Sequence, residues 1–325
     1  MKSKLLIRLV SLVAAPVIGA TWFAFPAHAQ KFSEWSAPVN LGPTINSKYN
    51  DQHPAISKNG LSLYFVSNRP GGFGGNDIWV SQRPSLEASW GTPQNLGPTI
   101  NTSGDDFAPS FSPDGHWLFV GSDRPGGCGG QDIWVSHRKD RDDDFAWEPP
   151  VNLGCTLNST TDDDGPTLFV DKEEDVTILY FTSFQRPDGL GDWDIYASTM
   201  NEEDGTFGPA VLVPELSSPL RDTRTAIRRD GLEILLTSNR LGGVGGLDLW
   251  VSTRDSTKDP WSTPVNLGPI VNSAFNDGAP ALSRDGTTVY FYSNRPGGFG
   301  ANDLYVTTRT KLHRHDKDDD DSGKE

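Results

Sequence analysis

The chain has 325 residues, with 28 Lys and Arg against 43 Asp and Glu, a formal net charge of −15, 34 glycines, 24 prolines and two cysteines. So acidic a surface disfavours nucleic acid and anionic membranes as partners. Glycine and proline are abundant and no stretch keeps a helical period, so the chain reads as strands and turns.

The first 29 residues form a secretory leader. Lys2, Lys4 and Arg8 make a basic start, Leu9 to Phe25 is apolar, and Ala27-His28-Ala29 is a small-x-small cleavage site. The mature chain is expected to begin at Gln30 and, without those three cations, to carry −18. No cysteine follows the apolar run, so there is no lipoprotein signature, and no later stretch suits a bilayer. The expectation is a periplasmic or secreted protein with no membrane insertion once the leader is removed.

From Trp35 onward one unit recurs. Trp35-Ser36-Ala37-Pro38-Val39-Asn40-Leu41-Gly42 is a short extended stretch, and Asp51 to Ser57 is a second. Lys58-Asn59-Gly60 signals a primed hairpin turn. Leu61 to Ser67 is an aromatic and β-branched strand, and a Gly-rich loop then leads into the strand Asp77 to Arg83. The loop and the strand after it recur four more times, and the Arg-to-Asp spacing is constant from Arg69/Asp77 through Arg124/Asp132, Arg186/Asp194 and Arg240/Asp248 to Arg295/Asp303. Four strands in a repeated unit of about 55 residues mark a propeller blade.

The order of strands predicts how the ring closes. The Trp stretch recurs at Trp90, Trp147 and Trp261, with a degenerate copy at Phe207 to Val213. The chain starts with this stretch and ends without one, so Trp35–Leu41 is expected to complete the last blade, residues 278–309. This gives an all-β, five-bladed propeller over residues 30–310, closed by the N-terminal strand, with no open sheet at the seam. Pro54, Pro109, Pro166 and Pro280 belong on an edge strand, which places each inner strand at the channel.

These motifs carry a resemblance. Asp-x-x-Pro-x-x-Ser-x-Asp-Gly, clearest around Ser110-Phe111-Ser112-Pro113-Asp114-Gly115, followed by Ser-x-Arg-x-Gly-Gly and Asp-Ile-Trp, resembles the TolB-type, WD-repeat-like β-propeller repeat of bacterial envelope proteins. The resemblance spans about residues 35–309. It implies an exported, non-enzymatic binding or scaffolding module, with an envelope protein or a glycan held over the channel mouth.

Comparing the units with one another separates architecture from function. Residues present in every blade read as structural: Asp51, Asp106, Asp163, Asp222 and Asp277, the arginines named above, and the Asp of each Asp-Ile-Trp. The arginines are expected to pair with carboxylates, and the aromatics Trp79, Trp134, Tyr196, Trp250 and Tyr305 to pack between blades. The alternative is a carbohydrate-active hydrolase or lyase using two or three of the five ring aspartates, as five-bladed glycoside hydrolases do. Their equivalence weighs against it, because a general acid needs an environment unlike its neighbour's.

The departures from the repeat are the ligand-binding candidates: Trp193 and Asp192 in the third Gly-rich loop, Arg224 and His53 in inner strands, and Phe107. Trp193 is read as an exposed indole on a mouth loop. Cys128 and Cys155 are two departures in the second blade, on loops at one end of the ring, and so predict a disulfide. Asp142-Asp143-Asp144 has the clustered carboxylates that calcium favours but reads as a solvated charge run, as does the hairpin Asp171 to Asp175. Residues 311–325, with His313, His315 and Asp318 to Asp321, read as a disordered acidic tail. No cofactor or metal motif appears, and the sequence bears no mark of oligomeric state.

Overall fold

The computed structural model describes residues 32–312; the leader, and the tail from residue 313, lie outside the described residues. Strand β1 (Val39–Asn40) comes first. Blade one follows as β2 (Asp51–Ile56), β3 (Ser62–Ser67), β4 (Asp77–Gln82) and β5 (Gln94–Asn95). Blade two is β6 (Asp106–Phe111), β7 (Trp117–Ser122), β8 (Asp132–His137) and β9 (Val151–Asn152). Blade three is β10 (Asp163–Asp171), β11 (Val176–Phe184), β12 (Trp193–Thr199) and β13 (Val211–Leu212). Blade four is β14 (Asp222–Ile227), β15 (Glu233–Ser238), β16 (Asp248–Thr253) and β17 (Val265–Asn266). Blade five is β18 (Asp277–Leu282), β19 (Thr288–Ser293) and β20 (Asp303–Thr308), completed by β1.

All five sheets are four-stranded and antiparallel, and each runs from the inner strand outward. The seam lies where the repeat count places it. Val39 faces Val306 and Asn40 faces Tyr305. Just beyond β1, the Asn46 amide accepts from Leu304 N at 2.7 Å and donates to Leu304 O at 3.0 Å. The outer strands are shorter than expected, with two paired residues each, because the chain then turns into the loop that returns to the next inner strand.

The hydrophobic core is divided among the clefts between blades. Trp79 packs with Phe65 of its own blade and with Tyr290 and Leu304 of blade five, and four equivalent clusters fill the other clefts. Burying these aromatic and aliphatic faces is the main stabilising term. The hairpin after β2 departs from the expected primed turn. Only Gly60 takes a positive φ (73°), and Asn59 Oδ1 instead accepts from Leu61 N at 3.0 Å.

A second repeated arginine holds the hairpin end of the blades. Arg83, Arg138, Arg254 and Arg309 stack over Trp90, Trp147, Trp261 and Trp35 at 4.2–4.3 Å, and each donates to a hairpin carbonyl. Asp144 belongs to this layer, so reading it as part of a solvated run is corrected. It is buried, pairs with Arg138 at 3.0 Å, and accepts from Ser62 Oγ and Tyr64 OH of blade one. Cys128 and Cys155 form a disulfide, with a Cα–Cα separation of 5.5 Å across 27 residues.

Candidate functional site

Each inner strand begins with the repeated aspartate, and in every blade this carboxylate is fully buried. One oxygen pairs with the blade's own arginine: Arg69–Asp51 at 2.5 Å, Arg124–Asp106 at 2.7 Å, Arg186–Asp163 at 2.8 Å, Arg240–Asp222 at 2.5 Å and Arg295–Asp277 at 2.6 Å. The other oxygen accepts from the loop before it, as when Ser47 N and Oγ donate to Asp51 at 2.5 and 2.8 Å. The same Arg Nη2 donates to a loop carbonyl, Ile45 O in blade one. With both oxygens occupied and no exposure, these five groups tie the outer-to-inner loop to the sheet.

Two residues past each of these aspartates the inner strand bulges. Register shifts there in all five blades, and the bulge residue has a left-handed φ: His53 49°, Ala108 46°, Gly165 62°, Arg224 50° and Ala279 50°. Four of these five are not glycine, so the left-handed backbone is costly there, and its recurrence in every blade makes the bulge part of the architecture. Alanine stands at the bulge in blades two and five, and His53, Gly165 and Arg224 in the others. Of the bulge residues and those just before them, His53, Phe107, Asp164, Thr223 and Arg224 line a cavity of about 460 Å³ at the mouth.

Asp164 and Arg224 meet across two blades. Arg224 Nη2 pairs with Asp164 Oδ2, and Arg224 N donates to Thr182 Oγ1 at 3.0 Å. Two glycines leave the space. A Cβ on Gly121 would lie 2.5 Å from Asp164 Oδ1, and one on Gly165 would lie 2.8 Å from Arg224 Cδ. Burial raises the Asp164 carboxyl above the ordinary carboxylate value, and Arg224 and the Gly165 N–H only partly oppose it. His53 sits edge-on between Phe107 and Tyr292, at 5.8 and 5.9 Å. Burial first, and Arg224 second, hold its pKa well below 6.5, so the ring is neutral. His53 Nδ1 and Arg224 Nη1 are both buried and have no partner.

The rim is polarised. The residue before each ring aspartate is Asp105 in blade two, Asp162 in blade three and Arg221 in blade four. Asp105 accepts from Asn76 N at 2.8 Å, and Asp162 accepts from Gln131 N at 2.9 Å. Arg221 pairs with Asp192 at 3.1 Å, both about two-fifths exposed. Carboxylates thus gather on blades two and three, facing guanidinium groups on blade four.

Of the residues singled out from sequence, Trp193, Arg224, His53 and Phe107 line this cavity, while Asp192 stands at its rim. Trp193 is half-buried rather than exposed, because it opens β12 and packs on Phe184 at 5.2 Å. Asp164, Asp162, Asp105, Arg221 and Tyr292 were not anticipated. Asp164 lies between the ring member Asp163 and the bulge residue Gly165, and only its difference from Gln52, Phe107, Thr223 and Gly278 at the same place in the other blades marks it. Among the described residues no group of three or more His, Cys, Asp or Glu forms a metal site.

No protein-family model matches the chain, and no curated protein matches its sequence. Solved structures do. An α-L-arabinofuranosidase from Lactobacillus brevis aligns with a TM-score of 0.57 and 16% identity, over 84% of this chain and 94% of that one. An endo-arabinase from Bacteroides thetaiotaomicron gives 0.54 and 18%, over 86% and 99%. An α-L-arabinofuranosidase from Podospora anserina, in complex with cellotriose, gives 0.54 and 14%, over 87% and 97%. At these identities the likeness shows the five-bladed fold. It corrects two expectations: these neighbours are glycoside-cleaving propellers and not TolB-type repeat proteins, and the reading as a non-enzymatic binding module loses its basis, which was that resemblance.

Proposed function

We propose that the chain is a carbohydrate-active hydrolase working at the channel mouth. One observation carries this: the mouth holds carboxylates in unlike environments, Asp164 buried beside Arg224, and Asp105 and Asp162 part-exposed on the rim. Glycoside hydrolysis needs two such groups, one to take a proton from water and one to give a proton to the leaving oxygen. Burial favours the protonated form of Asp164, which makes it the candidate proton donor. Asp105 and Asp162 are the candidates for the acceptor. Trp193 offers a face for a sugar ring, with Arg224 and His53 lining the same cavity. The neighbours' names support an arabinose-containing substrate. The leader and the disulfide fit an exported enzyme.

The test is release of reducing ends from arabinan, arabinoxylan and related oligosaccharides by the protein lacking its leader. Hydrolysis that falls about 10²–10⁴-fold in kcat on Asp164→Asn supports the assignment. Hydrolysis that survives this change overturns it.

A further inference from the structure

Four of the five clefts between blades are closed at the hairpin end by the Arg–Trp stacks. Between blades one and two, Arg138 meets Asp144, which Ser62 and Tyr64 also hold. Between blades four and five, Arg309 pairs with Glu233, which Arg228 reaches as well. Arg254 covers Trp261 and Phe169 in the cleft between blades three and four. Trp90, under Arg83, packs edge-on against Tyr290 of blade five.

The cleft between blades two and three lacks this closure. Met200 N donates to Thr177 O at 2.8 Å just as Arg83 N donates to Leu61 O at 2.9 Å, so Met200 stands where the other blades carry the arginine. Phe207 stands in the place of the tryptophan. On the facing blade, Trp117 opens the second strand, as Ser62 and Glu233 do in blades one and four. Ser62 and Glu233 are buried in the closing networks, whereas Trp117 is 42% exposed, its ring against His137 at 4.5 Å. Without a guanidinium to fill it, the cleft opens. Trp117, Phe119, Val135, Leu153, Met200 and Phe207 all line the larger channel cavity, of about 1070 Å³, at the end away from the mouth. The rim of that cavity mixes carboxylates, among them Asp204 and Glu173, with cations such as Lys172 and Lys58, and neither sign prevails.

We propose that the open cleft is a second glycan-binding site, separate from the mouth, which takes a neutral sugar ring with its apolar face on Trp117 and its hydroxyls toward the mixed rim. Uncharged walls and a rim of both signs give an ion no preference. A neutral sugar presents C–H faces that suit an indole and hydroxyls that need donors and acceptors together. The sugar class rests on the function proposed above. Binding here is read without turnover, so a chain that hydrolyses nothing can still show it.

The experiment is calorimetric titration of the full mature chain with S-linked, and so uncleavable, arabinotetraose and xylotetraose, and with tetragalacturonate. At least one neutral probe should bind. Met200→Arg/Phe207→Trp rebuilds the stack of the other blades, and should lower the affinity at this site about tenfold or more without lowering the melting temperature. Trp117→Ala, on the surface, should lower it about fivefold or more, and reads the site however well the rebuilt stack packs. Both variants should keep any hydrolysis of short substrates at the mouth. No binding of either neutral probe, or the wild-type affinity in Trp117→Ala, overturns the site. Equal affinity for tetragalacturonate overturns the neutral class. Self-association that Met200→Arg/Phe207→Trp abolishes would give the cleft to a second copy of the chain and overturn the sugar.

Discussion

Arg224 of blade four reaches across the mouth to Asp164 of blade three, and the two glycines beneath them, Gly121 and Gly165, leave the room for it. The pair is nearly buried, with side-chain exposures of 16% and 5%. Breaking such a pair from one side leaves an uncompensated charge. Arg224→Ala should therefore cost about 3–5 kcal/mol in denaturant unfolding, and Arg224→Ala/Asp164→Asn should recover a large part of it. Additive losses in this double-mutant cycle would show that the two groups do not interact.

The repeated ring should behave as architecture. Asp106→Ala or Arg124→Ala breaks a buried pair and frees the loop it holds, with a loss of about 3–5 kcal/mol. Thermal unfolding checks this. A variant that melts with the wild type would mean that the loop is held by other contacts.

Closure at the seam is also testable. Deleting residues 30–46 removes β1, the Asn46 clamp on Leu304 and the fully buried Ile45, and leaves the edge of β20 open. The expected result is a loss of several kcal/mol together with self-association. A monomer with the wild-type melting temperature would contradict the strand order. The disulfide acts independently of this, and its reduction should cost on the order of 3 kcal/mol by the loop-entropy estimate.

His53 gives the pH dependence. Its folded pKa lies well below the ordinary 6.5, through burial and then Arg224. The unfolded chain takes up this proton first as the pH falls, so the stability due to neutral His53 is full above about 6.5 and is lost as the pH drops toward the folded value. His53→Asn, which tolerates the left-handed φ, should flatten the melting temperature between about pH 6.5 and 5. Equal slopes in both proteins would exclude His53 as the source.

Much of this was legible in the sequence, for a definite reason. Asp51, Arg69 and their counterparts recur at fixed spacing, and recurrence reports geometry that every blade needs. The five blades and the N-terminal closure followed from counting strands. The bulges were not legible, because Ala108 and Ala279 give no sign of a left-handed backbone and only Gly165 hints at it. Asp164 was hidden beside the ring member Asp163, and its partner lies 60 residues away in the next blade. Asp144 was misread because an Asp-Asp-Asp run looks solvated until Arg138, Ser62 and Tyr64 are seen around it. The repeated Arg–Trp stacks were visible in principle, as an arginine following four of the five third strands.

The measurement closest to the central claim is a steady-state comparison of wild type, Asp164→Asn and Trp193→Ala on whichever glycan substrate is hydrolysed. Asp164→Asn should lower kcat about 10²–10⁴-fold at a temperature where the variant is still folded, because it leaves Arg224 unpaired in the same buried site. Trp193→Ala should act mainly on KM, by about 1–3 kcal/mol of lost binding. No hydrolysis of any glycan by the wild type, or full kcat in Asp164→Asn, would contradict the account.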